Sequence, residues 1–233
     1  MLRLDSIEAS YGRIQVLFGA TLKVRRGEVV ALMGRNGMGK TTTVNNVVGL
    51  LEPHRGSIYF EDHVLNGLPP HRITRLGIAL VPEGRQIFPT LSVRENLIAT
   101  AANYGRMREP WTLDRVYELF PQLAERRNQM GRLLLGGEQQ MLAVARALML
   151  CPKLLILDEA TEGLAPIIRE TIWHCLKSLK DSGLSILLID KNLDELAALA
   201  DRAYIMEKGC IVWEGATTEL TNKKDMRVRY LGV

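Results

Sequence analysis

The 233-residue sequence lacks any apolar run close to the ~20 residues that a membrane-spanning helix needs. Its first residues, Met1–Asp5, also lack the apolar core of a signal peptide. We therefore expect that the chain cannot cross a membrane alone and would act on one from a single side. Cysteine is scarce and odd in number, with only Cys151, Cys175 and Cys210 in the chain. These three residues show no metal-binding spacing. This pattern predicts a reducing compartment, with the cysteines serving as small apolar residues.

A large excess of one charge is also missing. The net charge is +4, the isoelectric point is about 9.0, and the Lys and Arg residues are scattered along the chain. A short basic run such as Glu125–Arg127 is typical of a solvated helix face. The charge pattern therefore gives no argument for nucleic acid, and we expect no such partner. With 47% hydrophobic and 24% charged residues, the chain fits one compact α/β domain and not a disordered protein.

Apolar runs and helical periodicities alternate along the chain. The strands that these runs predict are Val29–Met33, Ser57–Phe60, Ile78–Val81, Leu154–Leu157 and Ser185–Asp190, with a hairpin at Ala203–Met206 and Cys210–Trp213. The predicted helices are Lys40–Leu51, Ser92–Tyr104, Leu113–Phe120, one that begins near Pro166 and a short one that ends near Leu199. This alternation predicts a mainly parallel sheet with helices on both faces. Helical signals dominate from about Thr90 to Met130, which predicts a helical insertion in the α/β core.

A phosphate-binding loop is the strongest motif. Its residues are Gly34, Arg35, Asn36, Gly37, Met38, Gly39, Lys40 and Thr41, which fit the pattern G-x-x-x-x-G-K-[ST] between a predicted strand and a predicted helix. Glycines allow the backbone to wrap closely around phosphate oxygens, and the loop amides and helix N-terminus attract the anion. We expect Lys40 to contact the β- and γ-phosphates, Thr41 to bind Mg²⁺, and Thr42 to donate to the α-phosphate.

Two carboxylates follow the buried run Leu154–Leu157. In open α/β sheets ligands bind at the carboxyl ends of strands, so Asp158 is expected to hold Mg²⁺ and Glu159 to polarise the attacking water. Taken alone, an Asp-Glu pair after a strand is more often a helix N-cap with an acidic first turn. The phosphate-binding loop in the same chain favours the catalytic interpretation.

A third motif, Leu134–Gln140, contains the pair Gly136 and Gly137 before a periodic apolar helix. A glycine pair that opens a helix exposes unpaired amides, which form an anion site. By spacing alone, a plain loop and helix start is the better interpretation.

In this order and at these distances, the three motifs resemble those of the ATP-binding subunits of ABC transporters, over essentially the whole chain. Val81–Arg85, Gly136–Ala143 and Tyr230–Val233 resemble the LivF-type subunit of branched-chain amino-acid importers, a group whose relatives also carry urea, amides or other small polar solutes. The resemblance implies a P-loop NTPase (RecA-like) α/β fold. That fold has a mainly parallel sheet, an N-terminal antiparallel β subdomain and a helical insertion at about 90–150, in a single domain over 1–233.

Further roles are implied by the same resemblance. Tyr11 would stack on adenine with Val16 nearby, although an ordinary half-buried strand tyrosine is the alternative. Glu83 would contact Mg²⁺ or water, together with Thr41 and Asp158, and the segment Phe88–Leu97 would face the membrane subunit. The signature loop comprises Leu135, Gly136, Gly137, Glu138 and Gln139, and would cap the ATP held by a second subunit.

The resemblance also implies an ATPase that uses ATP and Mg²⁺ at the cytoplasmic face of the plasma membrane. Its partners would be a homologous ATP-binding subunit in a head-to-tail dimer, two membrane permeases and an external solute-binding protein. Soluble ABC ATPases that act on DNA or ribosomes usually carry tandem domains or long insertions, which this chain lacks. The run Asn222–Asp225 matches the guanine-specific N-K-x-D motif, but it follows a predicted helix instead of a core strand.

The sequence departs from the superfamily pattern in several places, and two of these departures also differ from the LivF-type group. Leu135 replaces the signature serine, whose hydroxyl donates to the γ-phosphate of the opposite ATP. Lys191 occupies the position of the switch histidine, where it would supply charge as a mobile point cation. These departures leave open a second hypothesis, a non-hydrolysing ATP-binding half of a heterodimer, while the retained Glu159 argues for hydrolysis.

Overall fold

The computed structural model describes residues 1–190, 192–222 and 228. Within these ranges the elements are β1 (Leu2–Tyr11), β2 (Ile14–Val24), β3 (Val29–Met33), α1 (Lys40–Val47), β4 (Arg55–Phe60), β5 (His63–Val64), α2 (Pro70–Arg75), β6 (Ile78–Val81), α3 (Val93–Ala99), α4 (Leu113–Leu119), α5 (Pro121–Glu125), α6 (Gly136–Leu148), β7 (Leu154–Asp158), α7 (Pro166–Asp181), β8 (Ser185–Ile189), α8 (Leu193–Leu199), β9 (Arg202–Glu207), β10 (Cys210–Ala216) and α9 (Thr217–Asn222). Three sequence features lie outside the described residues, namely Lys191, positions 223–225 of the N-K-x-D match, and Tyr230–Val233.

The central sheet of the described chain has six strands in the order β10-β9-β3-β8-β7-β6. All neighbouring pairs are parallel except β10 with β9. Alternate residues of each strand point to opposite faces, so Val29 and Ala31 join the core beneath the helical layer, while Val30 and Leu32 join a second core. Strands β3, β7 and β8 are buried on both faces, which explains their continuous apolar runs.

The second core lies between the central sheet and a smaller antiparallel sheet, ordered β2-β1-β4-β5, with α1 contributing Val44 and Val47. On the other face of the central sheet, α3, α4, α5 and α6 supply apolar side chains to the first core together with α7 and α8. The predicted class is confirmed: a mainly parallel P-loop core with an antiparallel N-terminal sheet and added helices. That the chain forms one domain with an insertion bounded at about 90–150 stays a prediction.

Two predicted helices are shorter than expected. The helix predicted over Lys40–Leu51 ends at Val47, because Gly49 adopts a φ of +75° and the N–H of Leu50 bonds back to Asn45. The helix predicted over Ser92–Tyr104 ends at Ala99. Beyond it, the N–H groups of residues 102, 104 and 105 bond to carbonyls of residues 149–151, at the end of α6. This long-range pairing replaces the helical hydrogen bonds.

No helix in the described ranges combines the length and the apolar character that crossing a membrane requires.

Candidate functional site

The phosphate-binding loop connects β3 to α1 at the carboxyl end of the central sheet. Gly34 has a φ of +146°, and a Cβ there would lie 2.4 Å from the carbonyl oxygen of Met206 on β9. Gly39 has a φ of +108°, and its Cβ would lie 2.9 Å from Cδ2 of Leu17. The loop therefore packs against the backbone of β9 at a distance that only glycine permits, and it also contacts the end of the Leu17 side chain on β2. Arg35, Asn36 and Gly37 at its tip are exposed.

Lys40 lies inside this loop with 5% of its surface exposed. Its Nζ donates to the carbonyl oxygens of Gly34 at 2.9 Å and Arg35 at 3.1 Å, and lies 3.8 Å from Oε1 of Glu159. Thr42 is buried on the first turn of α1, where its carbonyl accepts from Asn46. The ammonium is thus fixed at the centre of the loop, where it would meet the anionic end of a bound phosphate chain.

Thr41, Glu83 and Asp158 line one cavity of about 580 Å³. Asp158, at the end of β7, is buried. Burial raises the pKa of Asp158 and the charge of Glu83 raises it further, while a hydrogen bond from Thr41 and the charge of Lys40 oppose the rise.

These three residues fit a magnesium site. One oxygen of Asp158, Oδ1, has no hydrogen-bond partner among the described residues, although it is buried. A hydroxyl, a buried carboxylate and an exposed carboxylate are the hard oxygen donors that Mg²⁺ takes in proteins. A cation bound beside Thr41 and Glu83 would stabilise this buried oxygen, which otherwise has no partner among the described residues.

Glu159 has a φ of +51°, in the left-handed region that non-glycine residues rarely adopt. Its N–H donates to the carbonyl of Ile189 at 2.9 Å, which ties the turn after β7 to the end of β8. Strained backbone of this kind concentrates at functional sites, because the surrounding structure must hold it in place. The carboxylate of Glu159 lies 3.8 Å from Nζ of Lys40 in the phosphate-binding loop.

Two residues beside Glu159, Thr161 and Asp190, are not indicated by any sequence motif. The hydroxyl of Thr161 donates to the buried carboxylate of Asp190, whose other oxygen accepts from the N–H of Asn192 at 3.0 Å. Glu159, Thr161 and Asp190 line a second cavity of about 440 Å³. A contact across 29 residues leaves no local signal, so only the fold reveals it. Lys191, predicted to act here, is outside the described residues.

Tyr11 and Val16 lie on the antiparallel sheet. Tyr11 is 48% exposed at the end of β1, and its hydroxyl accepts from Nδ2 of Asn45 on α1 at 3.1 Å. An exposed ring at this edge remains available for stacking on a base, the role predicted for it.

The turn between β9 and β10 is a feature that the sequence motifs do not indicate. The N–H of Gly209 donates to the carbonyl of Met38 at 2.9 Å, and its carbonyl accepts from the N–H of Phe18 at 3.0 Å. A Cβ at Gly209 would lie 1.9 Å from the carbonyl oxygen of Val16. The N–H of Lys208 points to the Met38 sulfur at 3.2 Å. This turn joins the phosphate-binding loop to β2.

The signature loop forms the start of α6, and its residues do not line the cavity that contains Thr41, Glu83 and Asp158. Leu135 is the N-cap and is 70% exposed, and its N–H donates to Oε2 of Glu138 at 2.8 Å. Glu138 also forms an ion pair with Arg126 at 2.6 Å.

The other signature residues pack closely on neighbouring elements. Gln139 donates to the carbonyl of Leu134 at 3.1 Å. A Cβ at Gly136 would lie 2.8 Å from Nη1 of Arg85, and one at Gly137 would lie 2.7 Å from Cγ2 of Ile168. The loop is therefore rigidly supported, yet separate from the phosphate-binding loop of the same chain.

Comparison with known proteins gives consistent results. Residues 17–162 match the family model described as ABC transporter. The chain is 42% identical to the high-affinity branched-chain amino acid transport ATP-binding protein BraG of Pseudomonas aeruginosa, over 100% of both chains. It is 36% identical to the lipopolysaccharide export system ATP-binding protein LptB of Escherichia coli, over 99% of this chain and 97% of that protein. It is 32% identical to the probable branched-chain amino acid transport ATP-binding protein LivF of Archaeoglobus fulgidus, over 100% of this chain and 99% of that one.

Solved structures agree with these relatives. The ADP conformation of MJ1267, an ATP-binding cassette of an ABC transporter, superimposes with a TM-score of 0.81 at 28% identity, over 95% of this chain and 93% of that chain. The dimeric structure of MJ0796, a bacterial ABC transporter cassette, gives a TM-score of 0.80 at 25% identity, over 93% and 99%. The chain therefore belongs to the ABC transporter family, as an ATPase subunit that groups with the ATP-binding proteins of branched-chain amino-acid transport.

Proposed function

We propose that this chain hydrolyses Mg-ATP at its own phosphate-binding loop and drives an importer of branched-chain or related small amino acids. The observation that carries the proposal is the 3.8 Å approach of Lys40 Nζ to Glu159 Oε1, beside the buried Asp158 with its unpartnered oxygen. Lys40 would bind phosphate, Glu159 would orient the attacking water, and Asp158 would bind the metal, and all three lie at the same end of the central sheet. These are the parts that phosphoryl transfer to water requires.

Each residue then has a distinct task. Lys40 and the loop amides hold the β- and γ-phosphates, and Thr41, Glu83 and Asp158 hold Mg²⁺, which neutralises charge on the phosphate oxygens. Glu159 accepts a hydrogen bond from the attacking water and orients it towards the γ-phosphorus. Tyr11 stacks on the adenine ring and adds roughly 1–3 kcal/mol of binding free energy.

The site is completed by a second ATP-binding subunit in a head-to-tail dimer. The exposed start of α6, separate from the phosphate-binding loop of its own chain, supports this arrangement, as does the dimer described for MJ0796. Gly136 and Gly137 would offer amides to the partner's ATP. Two permeases and an external solute-binding protein complete the importer, and the chain works at the cytoplasmic face of the membrane.

The proposed solute class rests on the relatives. BraG and LivF are named for branched-chain amino acids, whereas LptB is named for lipopolysaccharide export and has lower identity than BraG. Solute choice resides on the other subunits, so the uptake assay must contain them.

A second candidate function is a non-hydrolysing, regulatory ATP-binding half of a heterodimer. It is favoured by Lys191 at the switch position, which supplies a mobile point charge in place of an oriented donor. The exposed Leu135 of the signature loop, which has no hydroxyl to offer a phosphate, bears on the partner's ATP instead. In this case a partner subunit would perform the hydrolysis.

Turnover of the complex reconstituted in proteoliposomes distinguishes the two. Glu159→Gln should lower Mg-ATP hydrolysis at this chain's site by about 10³-fold while ATP still binds, because the water loses its general base. The exposed Glu118→Gln serves as a matched control. Unchanged turnover in Glu159→Gln would support the regulatory alternative. Uptake of radiolabelled leucine, alanine, urea and an aliphatic amide by the native complex tests the solute class.

A further inference from the structure

The loop that carries Glu83 connects β6 to α3 through an unusual backbone. Gly84, Arg85 and Gln86 have φ angles of +80°, +67° and +45°. Two of them are not glycine, so each of those two costs free energy that neighbouring contacts must offset. A hydrogen bond from the N–H of Gln86 to the carbonyl of Gly84 at 2.7 Å closes the turn, and side chains from elsewhere in the fold hold it in place.

Arg146, near the end of α6, makes two contacts with this loop. Its Nη1 donates to the carbonyl of Gln86 at 2.8 Å, and its guanidinium stacks over the ring of Phe88 with its carbon 4.1 Å from the ring centroid. Asn96 holds the backbone of Phe88 from α3, through hydrogen bonds of 2.8 and 2.9 Å. The far end of the loop is thus attached to the added helices, while its near end continues a strand of the central sheet.

Arg146 is poorly explained as a residue that only stabilises the fold. Its buried Nε has no hydrogen-bond partner among the described residues, and such a group destabilises a structure unless another role compensates. Burial also lowers the pKa of Arg146, because the charged form loses hydration. Its side chain lines the same cavity as Thr41, Glu83 and Asp158.

We propose that Arg146 is a positioning residue that fixes the Glu83 loop to α6 and so holds the Glu83 carboxylate beside Thr41 and Asp158. Gly136 begins the same helix ten residues earlier, about 15 Å away along the axis. Arg85 supports the attachment from that end, since its guanidinium lies against Gly136 and its Nη1 contacts Oε1 of Gln139 at 3.4 Å. One helix therefore carries the signature glycines and the residue that sets this chain's own metal-binding carboxylate.

This inference rests on the proposed metal role of Glu83, and its test separates the two. The complex with permeases and partner subunit carries Glu159→Gln, so that ATP persists, and Mn²⁺ binding is titrated by its EPR signal. Arg146→Lys keeps the charge but loses the planar stacking and the directed fork. We expect it to weaken Mn²⁺ binding by about 10-fold, as loss of a supporting contact does at metal sites. The affinity for metal-free ATP and the melting temperature should stay close to native.

A second readout follows the loop directly. Hydrogen exchange of the peptide over 83–88 should become faster in Arg146→Lys, while exchange in β7 stays unchanged. The matched control is Arg115→Lys, because Arg115 stacks over Trp111 at 4.2 Å and donates to the carbonyl of Glu109 at 2.9 Å, away from the cavity. Phe88→Leu removes only the ring contact and should shift Mn²⁺ binding in the same direction, by a smaller factor.

The inference fails if Arg146→Lys leaves both Mn²⁺ binding and exchange over 83–88 at native values, or if Arg115→Lys shifts them equally. Glu83→Ala identifies which idea is at fault. If Glu83→Ala weakens Mn²⁺ binding and Arg146→Lys does not, only the role of Arg146 is wrong. If Glu83→Ala changes nothing, the metal role of Glu83 in the proposed function is wrong as well.

Discussion

Arg202 donates two parallel hydrogen bonds to the carboxylate of Glu28, from Nε to Oε1 at 2.9 Å and from Nη2 to Oε2 at 3.1 Å. The pair is largely shielded from water and joins the start of β9 to the residue before β3. Since β3 ends in the phosphate-binding loop, the pair fixes the strand on which that loop depends.

We expect Glu28→Gln to lower the free energy of unfolding by about 2 kcal/mol, because the shielded guanidinium of Arg202 loses its bidentate carboxylate and keeps the more exposed Glu214 as its charge partner. Arg26→Gln is the control, since Arg26 is 80% exposed in its ion pair with Glu61 and should contribute less than about 1 kcal/mol. Urea unfolding of the isolated chain measures both. Equal effects of the two changes would contradict the prediction.

The same pair predicts a pH dependence. Burial raises the pKa of Glu28, but hydrogen bonds from Arg202 and Arg25 and the charges of both residues outweigh it, so the pKa lies below 4.5. A lowered pKa stabilises the fold fully above 4.5, and this stabilisation is lost as the pH falls through the lowered value. The native chain should therefore lose stability below pH 4.5 more steeply than Glu28→Gln, as urea titrations at each pH would measure.

The pKa of Asp158 is shifted in the opposite direction to that of Glu28. Because its folded pKa is raised above 3.8, the ionised carboxylate destabilises the metal-free fold above the raised value, and this cost disappears below 3.8. Asp158→Asn should raise the free energy of unfolding of the metal-free chain at pH 7, and the gain should shrink as the pH falls. The same variant should weaken Mn²⁺ binding by more than about 10-fold. The exposed Asp181→Asn should change neither quantity.

Substituting two glycines of the phosphate-binding loop distinguishes the cost of backbone strain from the cost of a steric clash. Gly34→Ala should lower the free energy of unfolding by about 3 kcal/mol, because its φ is +146° and its methyl would lie 2.4 Å from a carbonyl oxygen. Gly37→Ala should cost only about 1 kcal/mol, since its φ is +77° but nothing lies within 4 Å. Chemical unfolding without nucleotide compares them. A larger loss in Gly37→Ala would be incompatible with the observed packing.

Leu135→Ser tests the signature loop. A hydroxyl at this N-cap would offer a donor to the partner's γ-phosphate and should lower the barrier there by about 3 kcal/mol. Silencing this chain's own site with Glu159→Gln leaves the partner's site as the source of turnover in the reconstituted complex. Leu133→Ser is the control, because Leu133 is 60% exposed against 70% for Leu135 and precedes the helix. No gain in Leu135→Ser would mean that the missing hydroxyl does not limit the partner's site.

The motifs with a local cause could be predicted from the sequence. The phosphate-binding loop, the carboxylate pair at the end of β7 and the strands around them follow from residue spacing, and the central sheet agrees with them. The contacts of Asp190 and Arg146 could not, because their partners lie 29 and about 60 residues away in the chain. The early end of α3 has the same origin, since residues 102–105 pair with the end of α6. The local sequence pattern predicts which helices and strands form, whereas hydrogen bonds between distant residues decide where those elements end.

The turn at Lys208 and Gly209 has a consequence for protein engineering. Tips of hairpins usually tolerate insertions, since they lie in solvent and few contacts depend on them. Here the tip is wedged between Met38 and the strand that carries Val16 and Phe18. A tag or fluorophore loop inserted between these two residues would push β2 away from the phosphate-binding loop, so a reporter is better placed elsewhere on the surface.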